Sequence, residues 1–335
     1  INNEINSVHG QICLYERGIG GKVGLGTFLG KMRMVFGRLS RQTRSMRRKL
    51  ESVYEEGDEL YIIGFSRGAA SARQFVSSLS RKGLRTKHRV RLREPPVLFV
   101  GCFETVSMQF RNIFRIMLTR TRKRITKSSV LGEKRGSMSA IVQNAVHSLS
   151  LDDNRMFRGA PQWNPPVFMD SDDERVHEAW FSGEHGDVGG SVYRKGLADF
   201  SLQHMQEWME HLGVRFIRPQ EINPECLLLK DHPDIAIDGA DFDIRPNASE
   251  RINANEQQRT DPSYRPVVAI TNQRIIEGGT VRVHVSVLKH MEAVEKEDPP
   301  YAINPEIRKA NVIVVGHLNQ ELEEETKRFR ALLHR

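Results

Sequence analysis

The sequence predicts an α/β fold in which a mostly parallel β-sheet carries helices on both faces. Short apolar runs of strand length alternate along the chain with segments in which apolar residues recur at helical spacing. Glycines and prolines precede several of the apolar runs, as expected for turns. With 335 residues, 39% of them hydrophobic, the chain can bury a substantial core.

Five apolar runs are predicted to be strands, at residues 11–15, 60–65, 97–103, 176–182 and 280–287. Three segments are predicted to be helices, at residues 28–56, 67–79 and 318–335. The main domain is placed at residues 1–317, and the charged amphipathic helix 318–335 follows it. Two insertions are expected within that domain, at about 107–146 and 220–277. The second has the irregular composition of a cap or a long loop.

The three cysteines, Cys13, Cys102 and Cys226, lack the spacing of a disulfide framework or a zinc site. Cys13 and Cys102 lie in apolar runs and are predicted to be small core residues. Neither a signal peptide nor a run of about 18 apolar residues is visible. The sequence therefore indicates a soluble protein, either cytoplasmic or delivered by a leaderless secretion route. No metal and no organic cofactor is expected to be needed for the protein's activity.

The net charge of +8 conceals an asymmetry between the two halves of the chain. Residues 1–150 contain 28 Lys and Arg against 10 Asp and Glu, whereas residues 151–335 contain 22 against 32. The basic residues concentrate at 31–49, 81–93 and 111–135, and such clusters attract anionic lipid or nucleic acid. Nucleic acid is disfavoured because aromatic residues do not interleave with the basic ones. For the first two clusters, solvated helix faces and loops are the simpler interpretation.

The segment Gly64-Phe65-Ser66-Arg67-Gly68 matches the pattern G-x-S-x-G between a predicted strand and a predicted helix. In that context the serine lies on a tight, strained turn and its hydroxyl projects from the end of the sheet. The glycines would let strand and helix approach closely. The Arg67 N–H, at the helix N-terminus, would stabilise an oxyanion. A serine that only caps the helix does not explain both glycines, so we predict that Ser66 is a nucleophile.

A serine nucleophile needs a base, and the base needs an acid that orients it. Asp187 is the candidate acid, because it follows the fourth predicted strand and precedes the turn-forming pair Gly189 and Gly190. His284, in the fifth predicted strand, is the candidate base. His185 is the alternative base, although its closeness to Asp187 favours a role in shaping the turn. By spacing alone, an ordinary strand histidine would also explain His284.

Several motifs in a fixed order resemble an α/β-hydrolase domain family that includes phospholipase effectors delivered by bacterial type VI secretion. The segment EEGDELYIIGFSRGAASAR resembles the block that holds the family's nucleophile. The other motifs are LYERGIGG, FVGCFETV, HSLSLDDNRMFRGAPQWN, WFSGEHGDVGGSVY and VHVSVLKH. Together they span about residues 11–291.

This resemblance implies an α/β-hydrolase-like catalytic domain over residues 1–317 that hydrolyses carboxylic esters, chiefly of lipids and phospholipids. It matches Ser66 to the family's nucleophile, Asp187 to its acid and His284 to its base. An acyl-enzyme would form and be hydrolysed without a cofactor. Substitution of His284 by Ala is then expected to abolish hydrolysis while leaving the fold intact.

The chain departs from the family pattern at two places. The family usually opens with a strand that ends in D-G-T, whereas this chain opens with INNEINS, so we expect that first strand to be missing. A second oxyanion donor would be missing with it, and the backbone of Gly18 and Gly20 is the alternative source. Glu104 stands where the family commonly has Asp, which keeps a carboxylate near the site.

Residues 108–127 combine an apolar patch with a run of five basic residues between Arg120 and Lys127, and are predicted either to dock on an anionic membrane or to form a cap helix on the core. Two functions from different classes therefore stand. The first is a serine esterase of the lipase or phospholipase type. The second is a catalytically silent module that binds an anionic partner through the basic half of the chain.

Overall fold

The computed structural model describes residues 10–16, 39–106, 138–153, 169, 172–192, 194–216, 244–252, 269–271, 274–276, 278–295, 301 and 303–334. The segment 108–127, most of both predicted insertions, Gly18 and Gly20 lie outside the described residues, as does Cys226.

A six-stranded parallel sheet forms the centre of the described structure, which confirms the predicted fold class. Its strands follow sequence order across the sheet: β1 (Leu60–Phe65), β2 (Val97–Phe103), β3 (Val142–Ser150), β4 (Val176–Phe181), β5 (Thr280–His284) and β6 (Asn311–Val315). Every neighbouring pair is parallel. The residues that follow the strands therefore gather at one edge of the sheet, where parallel α/β sheets place their binding sites.

Helices pack around this sheet and small hairpins lie outside it. The helices in the described part of the chain are α1 (Leu39–Glu51), α2 (Arg67–Lys82), α3 (His185–Gly189), α4 (Gly196–His211), α5 (Val285–Ala293) and α6 (Glu323–Leu333), with short 3-10 helices at Pro305–Lys309 and His317–Asn319. Two antiparallel hairpins pair Leu84–Arg85 with Arg91–Leu92 and Ala269–Thr271 with Arg274–Ile276. Among the described helices, none has the length and hydropathy needed to cross a membrane.

The two faces of the sheet carry separate apolar cores. On one face, Val100 and Ala145 pack with residues of α1 and α2. On the other, Phe99 and Val146 pack with Met205 and other residues of α4. Because successive side chains of a strand point to opposite faces, these two clusters show helices on both faces, as predicted. A further cluster packs α5 and α6 against β3 to β6.

The structure confirms several predicted elements and corrects others. The strands at 60–65 and 97–103 have the predicted bounds, and Cys102 is buried. The strand predicted at 11–15 is absent: residues 11–16 form no regular structure, and Cys13 is exposed. This segment is held instead by the side chain of Gln11, which exchanges two hydrogen bonds with the backbone of Arg215, at 2.9 and 2.8 Å. Hydrogen bonds of this kind do not produce a pattern of apolar residues in the sequence, so the sequence does not predict them.

Two further boundaries differ from the sequence expectation. The predicted strand 280–287 ends at His284, which caps the N-terminus of α5 by accepting the Ser286 N–H. The predicted insertion 107–146 overlaps β3, which begins at Val142. The C-terminal helix begins at Glu323, because Leu318 and Asn319 adopt positive φ and turn the chain before it.

Candidate active site

Ser66 lies at the turn between β1 and α2 in a strained backbone conformation. Its φ is 58° and its ψ is −121°, values that a residue with a Cβ rarely adopts. The backbone holds it there: the Ser66 N–H donates to Phe103 O at 2.9 Å, and the Val106 N–H donates to Ser66 O at 3.3 Å. The side chain makes no capping hydrogen bond to α2. Helix capping therefore does not account for this half-buried serine, which lies in a strained conformation on a strand-to-helix turn.

At only one of the two flanking glycines would a Cβ atom clash with the surrounding structure. A Cβ on Gly64 would lie 2.5 Å from the carbonyl carbon and oxygen of Gly68, closer than real Cβ atoms come to backbone. A Cβ on Gly68 itself would meet nothing within 4 Å. The expectation that both glycines relieve crowding is therefore wrong for Gly68. Next to Ser66, Arg67 is the first residue of α2, so its N–H has no partner in a preceding helical turn.

Glu104 lies one strand away from Ser66. Their preceding residues, Phe65 and Phe103, are register partners in β1 and β2. Glu104 is fully buried and has a positive φ of 47°. Its Oε1 accepts the Ser150 N–H at 2.5 Å. The carboxylate is thus fixed at the edge of the sheet where Ser66 lies.

His185 contacts both Glu104 and Phe65, the residue before Ser66. Its Nδ1 lies 3.3 Å from Glu104 Oε2, and its ring packs on Phe65 with 4.7 Å between ring centroids. It is the first residue of α3, and that helix packs so tightly on β1 that a Cβ at Gly189 would overlap the Phe65 ring. Within the described residues the Nε2 of His185 has no hydrogen-bond partner. A neutral imidazole whose Nδ1 faces a carboxylate keeps its lone pair on Nε2, and a nitrogen of this kind can accept a proton.

Asp187 fixes the turn that presents His185. Its Oδ2 accepts the Glu184 N–H at 2.9 Å and forms a capping box for α3. The residue is buried, and it packs against Gly183, where the backbone has a φ of 105° and a Cβ would overlap the Asp187 side chain. Gly190 ends the helix in the left-handed conformation, as expected of a tight turn.

His284 occupies a different part of the sheet. Its Nδ1 lies 2.9 Å from the Ser286 hydroxyl, its ring stacks on Phe181 at 4.7 Å, and the His204 ring lies 5.2 Å away. Among the described residues, no hydrogen bond, ion pair or ring contact joins His284 to Ser66 or Asp187. Three strands separate β5 from β1, which amounts to about 19 Å across the sheet. Burial, followed by the nearby His204, lowers the pKa of His284 well below its ordinary value.

Two carboxylates after β3 complete the edge of the sheet, and the sequence analysis did not single them out. Asp153 is buried, and ligand atoms of Glu104, Asp153 and His185 lie within 4.8 Å of one another. Asp152 accepts hydrogen bonds from the Gly183 N–H at 2.7 Å and the Tyr301 hydroxyl at 2.8 Å. Burial raises the pKa of Asp152 to about 7. In the sequence, these two residues are the pair of acids that follows VQNAVHSLS. That segment was not predicted to be a strand because it contains several polar residues.

A solved structure resembles part of the chain. It is the crystal structure of an uncharacterized protein from Pseudomonas aeruginosa, 19% identical over 59% of this chain and 30% of that chain, with a TM-score of 0.30. The present chain thus spans less than a third of that protein's length. The sequence matches none of the curated proteins.

A family model matches most of the chain in two overlapping segments, residues 1–93 and 85–208. Its description is "T6SS, Phospholipase effector Tle1-like, catalytic domain". The matched residues include the Ser66 turn, Glu104 and the whole of α3. The chain therefore belongs to the family of Tle1-like catalytic domains of type VI secretion phospholipase effectors.

Proposed function

We propose that this chain is a serine hydrolase that cleaves carboxylic esters of lipids, phospholipids above all, with Ser66 as nucleophile, His185 as base and Glu104 as acid. The observation that carries the proposal is the contact between His185 Nδ1 and Glu104 Oε2 at 3.3 Å, beside a serine whose backbone is strained and whose side chain caps nothing. Membership of a phospholipase effector family supports a lipid substrate.

In the first step, Ser66 Oγ attacks the ester carbonyl while His185 Nε2 takes the hydroxyl proton. Glu104 accepts the Nδ1–H of the imidazole, which keeps the lone pair on Nε2 and stabilises the imidazolium that forms. The Arg67 N–H, at the start of α2, donates to the oxyanion, and the helix dipole favours the same charge. Collapse of the tetrahedral intermediate breaks the ester bond, and His185 returns the proton to the departing alcohol.

In the second step, water hydrolyses the acyl-enzyme. His185 Nε2 removes a proton from the water as its oxygen attacks the acyl carbonyl, and the oxyanion is again stabilised by the Arg67 N–H. Collapse of this second intermediate releases the fatty acid and returns the proton to Ser66 Oγ. The cycle needs proton transfer, assigned here to His185 and Glu104, and hydrogen-bond donors to the oxyanion, of which the Arg67 N–H is one. A second donor from the backbone of Gly18 or Gly20 stays a prediction from the sequence.

The assignment of Asp187 and His284 as acid and base stays a prediction from the sequence. His284 bonds to Ser286 and lies under α4, and its lowered pKa makes it a weak proton acceptor. His185 lies nearer to the serine turn in the sheet and has its carboxylate in place. We therefore favour His185, which the sequence analysis had treated as the alternative base.

A pair of matched histidine variants decides between the two assignments. Wild type, Ser66→Ala, His185→Asn and His284→Asn are compared for labelling by a fluorophosphonate and for hydrolysis of a short-chain ester and a phospholipid. We expect Ser66→Ala to lose labelling, His185→Asn to lose about 10²–10⁴-fold in kcat, and His284→Asn to keep most of its activity. Activity lost in His284→Asn and kept in His185→Asn, with both variants folded by circular dichroism, would reverse the assignment.

The asymmetric charge of the chain favours a second function, a silent module that binds an anionic partner through residues 1–150. In the described part of that half, residues 81–93 carry seven Lys and Arg. The same probe separates the two functions. A folded wild type that neither reacts with the fluorophosphonate nor hydrolyses ester supports the module, and contact with an anionic membrane would then be its activity.

A further inference from the structure

Glu104, Asp153 and His185 form a buried cluster that has the composition of a transition-metal site. The exposed fractions of the three residues are 0%, 6% and 7%. One ligand atom from each lies within 4.8 Å of the other two. Two carboxylates and one imidazole are nitrogen and oxygen ligands that Zn²⁺ accepts, whereas Mg²⁺ and Ca²⁺ prefer oxygen ligands alone.

The distances in this cluster fit a small ion. In a tetrahedral zinc site the metal–ligand distances are about 2.0–2.2 Å, so neighbouring ligand atoms are about 3.3–3.6 Å apart. The pair formed by Glu104 Oε2 and His185 Nδ1 already has this spacing, at 3.3 Å. Asp153 needs to approach by little more than 1 Å to reach it from the 4.8 Å limit of the cluster.

The charges of the cluster also favour a cation. Two buried carboxylates at this separation repel each other, since little water screens them. A divalent ion bound by both carboxylates and a neutral imidazole gives a site with no net charge. The second carboxylate, Asp153, is not part of the proposed proton relay.

We propose that this cluster binds Zn²⁺ or a similar transition-metal ion, and that the bound ion switches off hydrolysis by occupying Nδ1 of His185. The effect on hydrolysis rests on the proposed function of His185 as base, whereas the binding itself does not.

The loss of hydrolysis on metal binding follows from a change of tautomer in the His185 ring. In the relay, Nδ1 of His185 carries the proton that faces Glu104, and Nε2 keeps the lone pair that accepts the Ser66 proton. A metal ion that binds Nδ1 needs a lone pair on Nδ1 instead, so Nδ1 must give up its proton. The proton then moves from Nδ1 to Nε2, so the neutral ring is preserved but Nε2 becomes a donor. A ring in this state cannot take the proton from Ser66, and the nucleophile is not activated.

Calorimetric titration of the metal-free chain with ZnCl₂, paired with ester hydrolysis at the same free Zn²⁺, tests the inference. The variants are Asp153→Asn, which loses the charge, Asp153→Glu, which keeps a carboxylate, and the control Glu210→Gln, which removes an exposed carboxylate on α4. We expect wild type, Asp153→Glu and Glu210→Gln to bind one ion and to lose hydrolysis as the site fills. Asp153→Asn should bind at least 10-fold more weakly and be inhibited correspondingly less. A chelator should restore the wild-type rate, and Mg²⁺ should not inhibit.

Equal Zn²⁺ affinity in wild type and Asp153→Asn would overturn the inference, since the ion would then bind elsewhere. If Zn²⁺ binds at the Asp153-dependent site without any loss of hydrolysis, the claim that the bound ion switches off hydrolysis is wrong. Each rate is normalised to the metal-free rate of the same variant, so a change in basal activity does not mimic a change in inhibition. A metal-free wild type that lacks hydrolysis contradicts the proposed function, whereas the calorimetric comparison still decides the metal site.

Discussion

The ring of His147 lies between the Glu178 carboxylate and the backbone of Thr105. The Thr105 N–H donates to His147 Nε2 at 3.1 Å, so the proton of the neutral ring is on Nδ1, which lies 2.7 Å from Glu178 Oε1. Thr105 follows Glu104, whose positive φ needs support from its surroundings. This fully buried histidine therefore fixes the chain segment that carries the proposed acid.

We expect His147→Leu to lower the free energy of unfolding by about 1–3 kcal/mol, because the Glu178 carboxylate and the Thr105 N–H each lose a buried partner. Urea denaturation measures the change. Gln143→Leu, at the exposed start of the same strand, is the control and should change stability by less than about 0.5 kcal/mol. Equal stability of the two variants would show that the His147 bridge contributes nothing.

The two glycines around Ser66 should respond in opposite ways to the same substitution. Gly64→Ala places a Cβ 2.5 Å from the backbone of Gly68, and no rotation of a side chain relieves that overlap. It should lower the melting temperature strongly or prevent folding. Gly68→Ala meets no atom within 4 Å and adds a better helix former, so it should be neutral or stabilising by up to about 1 kcal/mol. Thermal denaturation of both proteins checks this, and a destabilised Gly68→Ala would contradict it.

Much of the sheet and the position of Ser66 on a strand-to-helix turn could be predicted from the sequence because their signals are local. β1 and β2 are apolar runs of strand length, and Ser66 lies in a short motif between a strand and a helix. β3 was missed because its sequence, VQNAVHSLS, contains polar residues that are buried inside the protein. Two of them form hydrogen bonds there: His147 bonds to Glu178, and the Ser150 hydroxyl donates to Gly183 O at 2.6 Å. Hydropathy cannot distinguish such residues from exposed ones.

The proposed partner of the nucleophile depends on contacts between distant segments. Glu104 and His185 are 81 positions apart, and their contact arises from the order of β2, β3 and β4 in the sheet. The sequence does not reveal this strand order, so the short spacing between His185 and Asp187 counted against His185 as the base. In the structure this closeness has a physical purpose, since Asp187 caps the short helix that begins with His185.

We expect Glu104→Gln to lower kcat by about 10³-fold or more while leaving KM nearly unchanged. The side-chain oxygen of Gln would keep the hydrogen bond from the Ser150 N–H, so its amide nitrogen would face His185 Nδ1. An amide donor at that position favours the tautomer with the proton on Nε2, which cannot activate Ser66. Steady-state hydrolysis gives the two constants, and a wild-type kcat would remove Glu104 from the mechanism.

His204 gives the fold a sensitivity to acid. It lies on α4, is 1% exposed, and neither ring nitrogen has a hydrogen-bond partner among the described residues. Its ring lies 5.6 Å from Phe181 and 5.2 Å from His284. Burial, with smaller contributions from His177 and His317, lowers the pKa of His204 to about 3.

Between pH 6.5 and about 3, His204 is protonated in the unfolded chain and neutral in the folded one, so folding loses stability as the pH falls. The full loss is up to about 5 kcal/mol. We expect His204→Leu to weaken this dependence, so that the variant gains stability relative to wild type as the pH falls from 7 to 4. His211→Asn, on the same helix but exposed, should keep the wild-type dependence. Urea denaturation at each pH measures the difference, and parallel curves for wild type and His204→Leu would show that His204 does not titrate with folding.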